Sequence, residues 1–325
     1  MNKILYSFGI ISFGIALGVT IQVLHRRGRL QLPLSIVDLR KLLQKIALLG
    51  LHPVAIVGAI WIVRIKDPGL MALPFVGFSA LFAGGMLALG AARILKLEPK
   101  KTGALFCCGS FTNIGSIGAL VCFIFLGEAG FALVPIYKLF EDVSYYAIGF
   151  PIARYYSGAG ENGGGAAARL KGLLSDPFIL TAVSSLIIGA SLNLSGIERP
   201  AFYGFANAVI VPLATILLLT SIGLALRFSR IGGYLRECVS VSLIKFLMVP
   251  ILIFLLARAL GFGEMDDALP LKVVIILSSM PVAFNALIPP SIYDLDLDLA
   301  NSCWFVTTAL LILVLPLLLM TLRQI

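Results

Sequence analysis

Two apolar stretches of this 325-residue chain each carry one asparagine among residues that weaken a helix. The first reads Cys108-Gly109-Ser110-Phe111-Thr112-Asn113-Ile114-Gly115-Ser116-Ile117-Gly118-Ala119. The second reads Ser278-Ser279-Met280-Pro281-Val282-Ala283-Phe284-Asn285-Ala286-Leu287-Ile288-Pro289-Pro290. Proline removes a backbone donor and clashes with the preceding turn, and glycine loosens the helix. A turn opened at membrane depth must find water, a ligand or protein groups for its backbone. The half-helix that starts after such a break presents unspent N–H groups and partial positive charge, which suit a carboxylate. Asn113, Gly115, Ser116, Ser279, Pro281, Asn285 and Pro289 are therefore the expected substrate-binding residues, with the two asparagine amides as side-chain donors. The competing reading is plainer: small residues serve close helix packing and the prolines make kinks.

A second constellation is Lys138, Glu141 and Asp142 inside an otherwise apolar stretch. Spacings of three and four put all three on one helix face. Ionisable groups at membrane depth are costly and tend to be functional. One lysine neutralises one carboxylate and leaves the other able to titrate, as proton coupling requires; a structural ion pair near an aqueous mouth is the alternative. Lys245, close to Arg236 and Glu237, is expected to extend its stem toward the inner interface. Thr112, Ser116, Ser278 and Ser279 supply the oxygens that a sodium-coupled carrier would need.

Other chemistries find little footing. Cys107, Cys108, Cys122, Cys238 and Cys303 all fall in apolar stretches without a C-x-x-C pair, and His25 and His52 stand apart. Cysteine as small apolar filler is the expectation, with no metal and no cofactor. Neither a G-x-S-x-G elbow nor an H-E-x-x-H pair occurs, so no catalytic residue is assigned and an enzyme is not expected.

The elements that must position these residues follow from composition. Of the residues, 59% are hydrophobic and 13% charged, and the mean hydropathy is +1.03. Soluble domains carry roughly 25% charged residues, so an all-α integral membrane protein is expected. At roughly 20 apolar residues per crossing the length allows about ten spans. These are placed near 4–24, 36–63, 70–94, 102–126, 130–156, from Pro177, 202–226, 234–260, 270–291 and 299–322. The first span runs into His25-Arg26-Arg27-Gly28-Arg29 rather than a cleavage site, so it is read as retained. Asp176 is an expected N-cap before Pro177, behind a glycine-rich linker over 157–175.

Basic residues set the orientation. With the N-terminus outside, the inner loops carry Arg26, Arg27, Arg29, Arg40, Lys41, Lys45, Arg93, Lys96, Lys100, Lys101, Arg154, Arg169, Lys171, Arg227, Arg230 and Arg236. These outnumber the outer ones by about two to one, which puts both termini outside a cell membrane. The net charge of +9 is thus a membrane signature, and no nucleic-acid partner is expected. The acidic run Asp294, Asp296, Asp298 on the inner side runs against the pattern, but acidic residues weigh little in it.

The two halves echo each other. His52-Pro53-Val54-Ala55 answers Val211-Pro212-Leu213-Ala214; Ala92-Arg93-Ile94-Leu95 answers Ala257-Arg258-Ala259-Leu260; Pro151 answers Pro316. Five spans per half is an odd number, so the second copy, 176–325, enters from the face opposite to the first, 1–156. The expected fold is two inverted five-helix repeats, in which the fourth and ninth helices are interrupted and cross.

Several motifs then carry a family likeness. Phe111-Thr-Asn113-Ile-Gly115 through Phe125-Leu-Gly127-Glu-Ala-Gly130, and Met280-Pro281-Val-Ala-Phe-Asn285, are joined by Tyr293-Asp294 and Asp298-Leu-Ala-Asn-Ser302. Asp176-Pro177 and Val211-Pro212 with Ser221-Ile222-Gly223-Leu224 extend the match. Together they resemble the auxin efflux carrier family of permeases, within the bile/arsenite/riboflavin transporter-like superfamily. The resemblance implies an elevator-like carrier, with helices 1, 2, 6 and 7 as scaffold and 3–5 and 8–10 as transport unit. It implies a homodimer and a small organic anion as cargo, auxin in plants or malate and malonate in bacteria. Asn113, Pro281 and Asn285 fall on its crossover residues. The chain departs from the family at Gly118-Ala119, where a proline usually follows the glycine. A sodium-coupled bile-acid-type carrier and a non-transporting ligand sensor are the alternative readings.

Overall fold

The computed structural model describes residues 2–62, 68–158, 177–226 and 231–325. These described residues form helices and turns throughout, with one isolated β-bridge, Thr112 with Val282. Among the described residues, six helices are long and apolar enough to cross a membrane, and a seventh is counted if a pair bent by 48° is one span. Large apolar side chains stand on the surface, among them Leu194, Ile94 and Phe205, each more than three-quarters exposed. Lipid is the solvent that such a surface fits, as expected of an all-α membrane protein.

We number the helices in chain order: α1 (Asn2–Arg26), α2 (Ile36–Ile62), α3 (Leu73–Ile94), α4 (Pro99–Ser110), α5 (Ile114–Tyr137), α6 (141–156), α7 (Pro177–Leu194) and α8 (Phe202–Gly223). Then follow α9 (Gly232–Ala259), α10 (Leu269–Ser278), α11 (284–292), α12 (Leu297–Ala309) and α13 (Leu311–Leu322). The expected fourth and fifth spans are thus divided. The fourth breaks at 111–113, and the fifth at 138–140. Between them, α5 carries a non-helical residue, Gly127, with φ 73° and ψ −163°, where the sequence places the turn joining the two spans. Only glycine adopts such a conformation without strain. The linker 157–175 and the Asp176 cap lie almost wholly outside the described residues.

The chain groups into two compact units. The first takes in Met1–Ile65, Gly115–Pro135 and Pro177–Arg227. Here α1 lies against α8 at glycines: a Cβ on Gly18 would strike the Thr220 carbonyl, and one on Gly223 the Ile15 carbonyl. Backbones that close need small residues, the usual means of packing helices in lipid. Polar clasps add to this contact, Gln22 Nε2 donating to Leu224 O at 2.7 Å and Thr220 Oγ1 to Gly14 O at 3.2 Å. Asn193 on α7 donates to Ile60 O and Trp61 O of α2. Arg199 pairs with Glu128 at 2.8 Å and donates to Gly58 O at 2.9 Å.

The second unit takes in Lys66–Ile114, Ile136–Asp176 and Phe228–Ile325. Gly84 of α3 and Gly109 of α4 meet backbone to backbone, so that a Cβ on either would enter the other's carbonyl. Ser110 Oγ ties α4 back to Leu81 O at 3.1 Å. Helix α12 opens on a side-chain cap, Leu299 N–H donating to Asp296 Oδ1 at 2.9 Å, and Tyr234 holds that carboxylate from α9. All five cysteines are buried thiols.

Candidate functional site

Both asparagine stretches leave the helix within the second unit. Helix α4 stops at Ser110, and Phe111 takes φ −81° and ψ 118°. Helix α10 stops at Ser278, and the chain is extended again by Ala283, at φ −70° and ψ 150°. Pro281 explains the second break: it lacks an N–H and pushes Met280 out of the helical region. The first break has no proline. Its broken backbone bonds are replaced from outside, because the two extended stretches pair antiparallel. Asn113 N–H donates to Pro281 O at 2.9 Å, and Ala283 N–H donates to Phe111 O at 2.9 Å. Thr112 N–H goes to the Tyr145 hydroxyl at 3.3 Å, and Val282 N–H to Thr307 Oγ1 at 3.2 Å. Buried backbone polar groups must be satisfied, and four donors here are satisfied without a helix.

Onward helices begin at once on either side of this crossing, α5 at Ile114 and α11 at Phe284. Asn113 is buried beside the first start, while Asn285 is exposed in the first turn of the second. Ser279 and Pro281 are buried in the crossing itself. Pro289 is buried farther along α11, where its carbonyl accepts from Tyr293 N–H at 2.9 Å. Gly115 and Ser116 open α5 and group with the first unit. The structure therefore brings Asn113, Ser279, Pro281 and Asn285 to one crossing and leaves Pro289 outside it.

The charged constellation differs from expectation. Lys138 sits in the break before α6, so it does not share a continuous helix face with Glu141. The two still pair, Nζ to Oε2 at 3.1 Å, with Glu141 almost wholly buried. The side chain of Asp142 lies outside what the structure describes. Glu141 Oε1 accepts from Tyr145 Oη at 2.7 Å, and Tyr145 Oη also donates toward Thr112 O at 3.4 Å.

Lys245 corrects the sequence reading outright. It does not extend toward an interface. It is 1% exposed, and its ammonium donates to Thr112 Oγ1 at 2.6 Å and to Ser110 O at 3.4 Å. A buried cation is tolerable only where acceptors surround it, and the Thr112 hydroxyl and the Ser110 carbonyl at the end of α4 provide them. A polar file thus runs Lys138–Glu141–Tyr145–Thr112–Lys245 through the second unit. Tyr145, Lys245 and Thr307 were not among the expected site residues. A lysine inside an apolar span, and a tyrosine four residues after a buried glutamate, were the available signals. Phe111 backs the file, its ring stacked on Tyr145 at a centroid distance of 3.9 Å.

No family model matches the chain. An uncharacterized transporter of Methanocaldococcus jannaschii is 28% identical over 254 residues, which cover 75% of this chain and 77% of that protein. An uncharacterized transporter of Methanothermobacter thermautotrophicus is 24% identical over 251 residues, 76% of this chain and 77% of that one. The chain resembles archaeal transporters. The aligned share covers most of both proteins, so the likeness concerns the body of the molecule and not one motif.

Proposed function

We propose that the protein is a membrane transporter, a secondary carrier of small organic anions such as mono- or dicarboxylates. The observation that carries the reading is the antiparallel crossing of 111–113 with 281–283, with an asparagine beside the start of each onward helix. Helix starts attract anions through their N–H groups and partial charge, and interrupted spans at a repeat interface are where carriers bind cargo. The similarity to two archaeal transporters supports transport over catalysis.

An elevator-like cycle is the mechanism we favour. The grouping of α1, α2, α7 and α8 in one unit, and of α3, α4, α6 and α9–α13 in the other, supports it, while Gly115–Pro135 of α5 groups with the former and not with the expected transport helices. The motifs Phe111–Gly115 and Met280–Asn285 resemble the auxin efflux carrier family, and we take this chain as a distant relative of it. Proton coupling runs in this reading through Glu141, bridged by Tyr145 toward Thr112. A sodium-coupled cycle is disfavoured at Thr112, because the Lys245 ammonium at 2.6 Å already occupies its hydroxyl oxygen.

The test is a thermal-shift screen of purified protein against mono- and dicarboxylates at two pH values, followed by counterflow in proteoliposomes. A cargo acid stabilises the parent, and Asn113→Ala and Asn285→Ala each lose that stabilisation. Variants that respond like the parent refute the site. Stabilisation without counterflow marks a ligand sensor instead.

A further inference from the structure

Helix α12 carries two buried polar groups that the crossing does not use. Trp304 is 1% and Thr308 7% exposed, and neither Trp304 Nε1 nor Thr308 Oγ1 has a hydrogen-bond partner among the described residues. A helical hydroxyl normally spends itself on the carbonyl one turn back. Its neighbours do: Ser302 Oγ donates to Asp298 O at 2.7 Å, and Thr307 Oγ1 to Cys303 O at 2.8 Å. Thr308 does not.

The face on which these groups stand is fixed by its contacts. Trp304 and Thr308 are four apart and lie one above the other. Thr307, beside them, accepts the Val282 N–H of the crossing at 3.2 Å. The Trp304 ring meets Phe284 edge-on, centroids 6.5 Å apart, one residue from Asn285. The Trp304 ring therefore stands against the start of α11, with Thr308 one turn farther along α12. Native interiors seldom leave such groups unmatched, and an indole N–H can only donate. Its partner must be an acceptor.

We infer that Trp304 Nε1–H and Thr308 Oγ1–H form a second anchoring point for the carried anion, receiving an oxygen of a second carboxylate. The inference rests on the organic-anion reading above and deepens it. The preferred cargo bears oxygen acceptors at both ends.

Calorimetric titration of the purified full-length protein with malonate and with acetate tests this. The parent binds malonate more tightly than acetate. Trp304→Phe keeps the ring on Phe284 and Thr308→Val keeps the volume. Each weakens malonate about tenfold, as loss of a hydrogen bond to a charged group does, and leaves acetate unchanged. Melting temperatures in the absence of acid stay level or rise, since an idle buried polar atom has been removed. Should Trp304→Phe not fold, Thr308→Val carries the test alone. Malonate affinity equal to the parent's in a folded variant overturns the inference, as does a parent that does not prefer malonate. If Asn113→Ala has meanwhile lost malonate, the carrier reading stands and only the second anchor falls. A parent that binds neither acid, and no other acid of the thermal-shift panel, overturns both.

Discussion

Lys245 keeps an ammonium inside protein and, by hydropathy, inside the membrane. Desolvating a cation costs several kcal/mol even after relaxation, so its acceptors hold it in place and it holds them. Thr112 Oγ1 and Ser110 O lie where α4 ends, joined to each other by a long 3.4 Å bond, and the ammonium reaches both. The two side chains should behave as one unit. We expect Lys245→Met and Thr112→Val each to destabilise the protein, and the double variant to cost less than their sum. A double-mutant cycle on unfolding should give a coupling of about 1–3 kcal/mol; additivity would refute the contact. The sequence marks Lys245 as unusual but cannot say where its stem points. A flexible four-carbon chain reaches an interface or a buried acceptor with equal ease, and here the broken end of α4 decided.

At the scale of elements, prolines shape the helices that hold this file. Three π-turns, Ile46–Leu51, Tyr145–Gly149 and Ile244–Met248, each precede a proline by two residues, namely Pro53, Pro151 and Pro250. A proline cannot donate to the carbonyl four residues back, here Leu49, Ala147 and Phe246. Widening the turn accommodates that loss, and such π-bulges gather at functional sites. Two of the three contain residues of the polar file, Tyr145 and Lys245. We expect Pro250→Ala to let the turn relax to α and rotate Lys245 away from Thr112. Melting temperature should fall as the buried ammonium loses its acceptors, and binding of a stabilising acid should be lost; retained binding would show that the π-turn does not set the lysine. The spacing was legible: Pro53 and Pro151 already stood out as repeat markers. The break in α4 was less so, because no residue within 111–113 forbids helix, and the pairing with 281–283 comes from far along the chain.

Across the whole molecule, charge and hydropathy govern placement in the bilayer. The basic segments after α1, α3 and α8 predict both termini outside. Alkaline phosphatase fused after Ile325 in a bacterial host should be active, and green fluorescent protein at the same place dark; the opposite pair of results would invert the topology. Within the first unit, Glu128 beside the Gly127 turn is held by Arg199, so that the unit's own ionic contact fastens that turn of α5.

An all-helical membrane protein and the two helix-weakening asparagine stretches were determined by residue type and hydropathy alone. Period and hydropathy are local quantities that a chain carries openly. Tertiary structure alone decided that the two stretches pair backbone to backbone. It also decided that Lys245 turns inward and that Trp304 packs on Phe284 beside the crossing. Each of those outcomes depends on which groups from distant segments compete to satisfy the same buried donors and acceptors, and that competition is settled only when the helices meet.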